Sequence, residues 1–137
     1  MADALRVVLV DDEDLVRSGL RLLLSNAPDI EVVAEASNGR DAVATVLDAQ
    51  PDVVLMDIRM PVMDGIAAVE KILSVHAVPI IMLTAFDTDS FILRALRAGA
   101  AGFLLKSTPP ESLMAAVRAA AAGQPLLSPQ VVDKLVG

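Results

Sequence analysis

Short apolar runs alternate with longer amphipathic stretches along the whole of this 137-residue chain. Five of the runs are too short for helices and rich in β-branched residues: Leu5 to Val10, Ile30 to Ala34, Val53 to Met56, Ile80 to Leu83 and Ala101 to Leu105. Runs without polar alternation suit strands of a parallel sheet that is covered on both faces. Between them the apolar residues recur three and four apart. Leu15, Val16, Leu20, Leu23 and Leu24 make one helical face, Val43, Val46 and Leu47 a second, and Ile66, Val69, Ile72 and Leu73 a third. Phe91, Ile92, Ala95 and Leu96 make a fourth, and Leu113, Met114 and Val117 a fifth. A βα unit repeated in this way predicts an α/β protein with a doubly wound open sheet. In such sheets ligands sit beyond the carboxyl ends of the strands, where the strand order reverses.

Helix punctuation sharpens the fifth unit. Thr108 and Glu111 stand three apart as a capping box, Pro109 suits the first helical position, and Gly123 and Pro125 end the helix. After them Ser128-Pro129 opens a last amphipathic segment with Val131, Val132, Leu135 and Val136 on one face. The chain therefore divides into a domain at 1–123 and a linker or docking helix at 124–137.

Composition narrows the chemistry. With 18 acidic and 11 basic residues the net charge is −7, which repels a phosphate backbone and argues against nucleic-acid binding by this stretch alone. Aromatics are 2% of the chain, with no Tyr or Trp, so there is no platform for stacking bases or a flavin. The absence of cysteine removes disulfides, thiolate catalysis and sulfur-ligated metals, and leaves oxygen ligands. No apolar stretch approaches the roughly 18 residues that cross a bilayer. Met1-Ala2-Asp3-Ala4 lacks the basic lead of a secretion signal, so a cytoplasmic protein without membrane contact is expected.

The strand ends carry the candidate chemistry: Asp11-Asp12 after the first, Asp57 after the third, Thr84 after the fourth and Lys106 after the fifth. Three carboxylates in one crevice are unfavourable unless a cation neutralises them, and hard divalent ions such as magnesium prefer carboxylate oxygen and water. Phosphoryl transfer needs a nucleophile, a cation spanning the developing charge, and donors for the equatorial oxygens. Asp57 is chemically competent as the nucleophile, and Lys106 and Thr84 supply the donors. Taken singly, each residue has a plainer reading: Asp12, Asp14, Asp57 and Thr84 as loop residues or helix N-caps, and Lys106 as a solvated, snorkelling lysine. Their joint occurrence at one sheet edge favours the chemical reading. His76, the single histidine, stands near a helix end without a carboxylate to orient it and is not read as catalytic.

Four segments, Val7-Val8-Leu9-Val10-Asp11-Asp12, Leu55 to Gly65, Leu83-Thr84-Ala85 and Gly102-Phe103-Leu104-Leu105-Lys106, together resemble the receiver domains of two-component response regulators. The likeness runs from Leu5 to about Ala122. The tail from Ala122 to Pro129 resembles the LuxR-type (NarL/FixJ-like) branch, in which a helix-turn-helix transcription domain follows. The resemblance implies a flavodoxin-like (βα)5 fold with strand order 2-1-3-4-5. It also implies a phosphorylation switch in place of a turnover enzyme, charged by a sensor histidine kinase and controlling transcription. By the same resemblance Asp57 is the phosphoacceptor, and Mg2+ or Mn2+ is bound by Asp12 directly, by Asp11 through water, by Asp57 and by the backbone carbonyl of Arg59. Lys106 and Thr84 engage the phosphoryl group, and Phe103 holds the aromatic switch position, where core packing is the plainer role. Arg59 and Phe86, each two positions beyond an active residue, are expected to flank the path of the hydrolytic water. Homodimerisation on phosphorylation is expected, through the fourth helix, fifth strand and fifth helix or through the first and fifth helices. DNA is reached only through a further C-terminal domain.

Two positions depart from the family pattern. Ser107 stands where many receivers carry a proline, and Phe103 lacks the hydroxyl of the frequent tyrosine. Three rival readings fare less well. A flavin carrier needs a Ser/Thr/Gly-rich phosphate loop where this chain has Asp11-Asp12-Glu13-Asp14. An aspartate-nucleophile phosphatase carries Asp-x-Asp after the first strand. A degenerate receiver used only for docking would not keep the full set of polar residues. A stand-alone receiver acting through a protein partner is the alternative to a transcription regulator.

Overall fold

A computed structural model describes residues 4–57, 63–84 and 89–124, with backbone alone at 89–92. The elements alternate as the pattern predicts: β1 Leu5–Val10, α1 Asp14–Leu24, β2 Ile30–Ala36, α2 Gly39–Ala49, β3 Val53–Asp57, α3 Gly65–Leu73, β4 Ile80–Thr84, α4 Asp89–Ala98, β5 Gly102–Leu105 and α5 Pro110–Ala121. All pairings between neighbouring strands are parallel, and the order is β2-β1-β3-β4-β5. The order reverses between β1 and β3, which opens a crevice at their carboxyl ends.

Side-chain alternation along the strands divides the core into two layers. Val8, Val10, Val54, Met56, Ile80 and Met82 face one side with Val46, Ile66, Val69, Ile72 and Ala95 of α2, α3 and α4. Val7, Leu9, Val53, Leu55, Ile81 and Leu83 face the other with Leu24, Leu113 and Val117 of α1 and α5. The central strands are apolar on consecutive residues because both of their faces are buried. Edge strand β2 is half-exposed, and its pairing with β1 slips between Val7 and Val8, so that Val33 has no partner in the register.

Three expectations need correction. Leu15 is 86% exposed instead of facing the core, because Leu20, Leu23 and Leu24 set the buried stripe and five residues turn a helix by about 140° from Leu20. Leu47 also lies on the outer side of α2, at 38% exposure. The fifth helix starts at Pro110, with Pro109 at the cap position in an extended conformation (ψ 149°) and no side-chain cap. The residue before a proline is pushed out of the helical region, so Pro109 cannot be the first helical residue and the Thr108 box falls one position too early. The far end follows the expectation: Gly123, at φ +75°, donates to Ala120 while Gln124 donates to Ala119, closing the last turn with the paired bonds of a glycine-terminated helix. Pro125 and the amphipathic segment from Ser128 lie outside the described residues.

Candidate functional site

The sheet carries the proposed residues to one edge. Asp57 and Thr84 are the last residues of β3 and β4, one position inside the strands instead of just beyond them. Ladder pairing, Asp57 with Leu83 and Thr84 with Leu105, therefore fixes their backbones. Asp11 follows β1 directly; its N–H donates to Ala36 O at 3.1 Å, and its Oδ1 accepts from the Glu13 N–H at 2.8 Å. That side-chain bond turns the chain from strand into helix. Lys106 follows β5, and its N–H donates to Thr84 O at 2.8 Å. The next turn is closed by the Thr108 N–H donating to Leu105 O, at the position where Ser107 replaces the family's proline.

Burial is pronounced for side chains this polar: Asp11, Asp57 and Thr84 are the buried polar residues among the described ones. The Lys106 ammonium stands between two of them, 3.1 Å from Asp57 Oδ2, to which it donates, and 3.1 Å from Asp11 Oδ2. The second approach is a charge contact without hydrogen-bond alignment, so Asp11 Oδ2 is buried and accepts no hydrogen bond among the described residues. Burial is the largest influence on Lys106 and acts to lower its pKa, but the contacts with Asp11 and Asp57 together outweigh it and raise the pKa above the ordinary lysine value.

One carboxylate oxygen from each of Asp11, Asp12 and Asp57 falls within 4.8 Å of the others. Among the described residues one ammonium faces three carboxylates and cannot balance them, and the buried Asp11 oxygen accepts no hydrogen bond there. The set suits a small, hard divalent cation, which takes one or two carboxylates and keeps several waters. Phe103, paired with Met82 in the ladder, is partly buried against the α2–α4 layer of the core. Arg59 and Phe86 lie outside the described residues.

The pattern of the response regulator receiver domain matches residues 7–118. The chain belongs to the response-regulator receiver family. It is 42% identical to the transcriptional regulatory protein YxjL of Bacillus subtilis over 137 residues, covering 98% of this chain and 62% of that protein. It is 41% identical to the transcriptional regulatory protein LiaR of Bacillus subtilis, covering 96% of this chain and 63% of that one. The receiver thus spans less than two thirds of these relatives. Among solved structures it resembles a LuxR-family two-component response regulator from Aurantimonas sp. SI85-9A1 (TM-score 0.88, 35% identity, 98% of this chain and 96% of that chain). It also resembles the receiver domain of the putative response regulator NarL from Mycobacterium tuberculosis (TM-score 0.86, 35% identity, 90% of this chain and all of that one). Among the described residues of the receiver, no helix is long and apolar enough to cross a membrane.

Reading the strand ends found the charged centre but not its supports. Arg17 donates to the main-chain oxygen of Asp11 at 2.6 Å, and Gly39 donates to Met63 O at 3.1 Å, just beyond the segment that carries Arg59. Arg17 borders the apolar face of α1 and was detectable as a charge beside that stripe. Gly39 left no signal beyond its being a glycine at a helix start.

Proposed function

We propose that this receiver takes a phosphoryl group onto Asp57, in a reaction assisted by a divalent cation. The observation that carries the reading is the Lys106 ammonium poised 3.1 Å from both Asp11 and Asp57 at the strand ends. A carboxylate oxygen of Asp57 attacks the phosphorus of a phosphohistidine on a sensor kinase, or of a small phosphoryl donor. The new O–P bond gives an acyl phosphate as the donor's bond to phosphorus breaks, and a leaving imidazole takes up a proton. Lys106 balances charge on the phosphoryl oxygens, and the Thr84 hydroxyl donates to one of them. Mg2+ or Mn2+, held by Asp11, Asp12, Asp57 and the Arg59 carbonyl, would neutralise the charge that develops between donor and acceptor.

Phosphorylation adds about −1.5 to −2 charge at pH 7. Thr84 and Lys106 follow that charge, and Phe103, on the neighbouring strand, repacks with them to alter the α4–β5–α5 surface. That change favours a homodimer, through this surface or through α1 and α5. Residues 1–123 form the receiver and 124–137 the connection to an output domain. The transcriptional regulators that it matches support a DNA-binding output elsewhere in a longer, cytoplasmic protein. With Mg2+ and acetyl phosphate the chain should gain one phosphoryl mass, stable in acid and labile in base, and Asp57→Asn should abolish the gain. Equal modification of the Asn variant in intact-mass spectra would refute the assignment.

A further inference from the structure

Arg17 is bound in a way that surface arginines are not. Its side chain is 16% exposed, and each of its three nitrogens serves a different residue. Nη1 donates to the Asp11 carbonyl at 2.6 Å, Nε to Glu35 Oε1 at 2.9 Å, and Nη2 to Asp14 Oδ1 at 2.7 Å. Glu35, near the end of β2, is held in turn by Arg21. The Asp11 peptide is therefore fixed on both sides, its N–H on Ala36 O and its carbonyl on Arg17, while its Oδ1 receives the Glu13 N–H. The Asp11 carbonyl shares its peptide unit with the N–H of Asp12, the exposed member of the acidic cluster.

We infer that Arg17 is a positioning residue for the cation site. It fixes the Asp11–Asp12 peptide so that both carboxylates meet Asp57 at binding distance. This inference rests on the metal-assisted reading proposed above. Electrostatics alone gives the opposite sign, since Arg17 is a positive charge beside a cation site and its removal would tighten cation binding. A charge effect of that kind also fades as salt rises, whereas loss of positioning does not. Arg17 further walls an open polar cleft of about 370 Å3 with Glu35, Ser37, Asp41 and Thr45, so solvent can enter where a shortened side chain retreats.

The test is calorimetric titration of the 137-residue chain with Mn2+ alone at low and high salt, comparing the parent with Arg17→Met, Arg17→Lys and Asp12→Ala. Loss of an outer partner that orients a metal ligand lowers affinity by about 10- to 100-fold. The expected result is Mn2+ binding about tenfold weaker in Arg17→Met at both salt concentrations, with a smaller loss in Arg17→Lys, whose single ammonium reaches one acceptor in place of three. Far-UV circular dichroism should match the parent. Parental or tighter binding by Arg17→Met, with Asp12→Ala weakened, overturns the positioning role and leaves the metal reading intact. If Arg17→Met fails to fold, parental affinity in Arg17→Lys overturns it equally. Asp12→Ala binding Mn2+ as well as the parent removes the metal reading and this inference with it.

Discussion

Lys106 and Gly39 show at single-residue scale how the receiver's crevice is held. The Lys106 pKa is raised on folding, so its ion pairs contribute fully below the unfolded lysine pKa and are lost as pH rises through the higher folded value. Stability should therefore be insensitive to this group at neutral pH and fall on an alkaline limb. Lys106→Met should remove that limb, as read from urea midpoints across the alkaline range. Gly39 has a steric role: a Cβ there would stand 2.1 Å from Met63 O and 2.8 Å from Met63 C, both backbone atoms. Gly39→Ala must push α2 away from the chain leading into α3 and break the Gly39–Met63 hydrogen bond. It should destabilise the domain by about 1–3 kcal/mol in equilibrium urea unfolding.

At the scale of elements, the helices obey local rules wherever tertiary contacts leave them free. Asn38 and Asp64 cap α2 and α3 by accepting from the N–H groups of Asp41 and Ala67, as side chains of this kind do at helix starts. Gly19, in the exposed middle of α1, and Gly123, after α5, both have open space where a Cβ would go. Their backbones differ, and so does the expected sign of substitution. Gly19→Ala removes a poor helix former and should stabilise the domain by about 0.5–1 kcal/mol. Gly123→Ala forces a left-handed φ of +75° on an L side chain and should cost about 1–2 kcal/mol. Thermal midpoints moving in opposite directions would bear out both, and a shared direction would contradict the helix-end account.

Among the described residues, three carboxylates and one ammonium gather at the switch point of the sheet, and the excess negative charge there opposes folding unless a cation neutralises it. Without metal, Asp12→Ala should be neutral or stabilising, by about 1 kcal/mol or less, because it relieves repulsion between carboxylates. With Mg2+ at a hundred times its dissociation constant, the parent should gain about 2.7 kcal/mol and Asp12→Ala much less, a difference visible in thermal unfolding with and without a chelator. Equal gains would place the cation elsewhere. The sequence by itself determined the βα alternation, the two-sided burial of the central strands and the standing of Asp11, Asp12, Asp57, Thr84 and Lys106 at the strand ends, because periodicity and strand ends are local properties of the chain. It misjudged Leu15 and the start of α5, where the buried stripe of Leu20, Leu23 and Leu24 in α1 itself and a second proline outweighed the simplest local signal. Only the tertiary structure decided that Lys106 bridges Asp11 and Asp57, that Asp11 keeps a buried oxygen with no hydrogen bond among the described residues, and that Arg17 and Gly39 brace the loops. Those contacts join residues brought together by the parallel crossovers, and no window of sequence spans them.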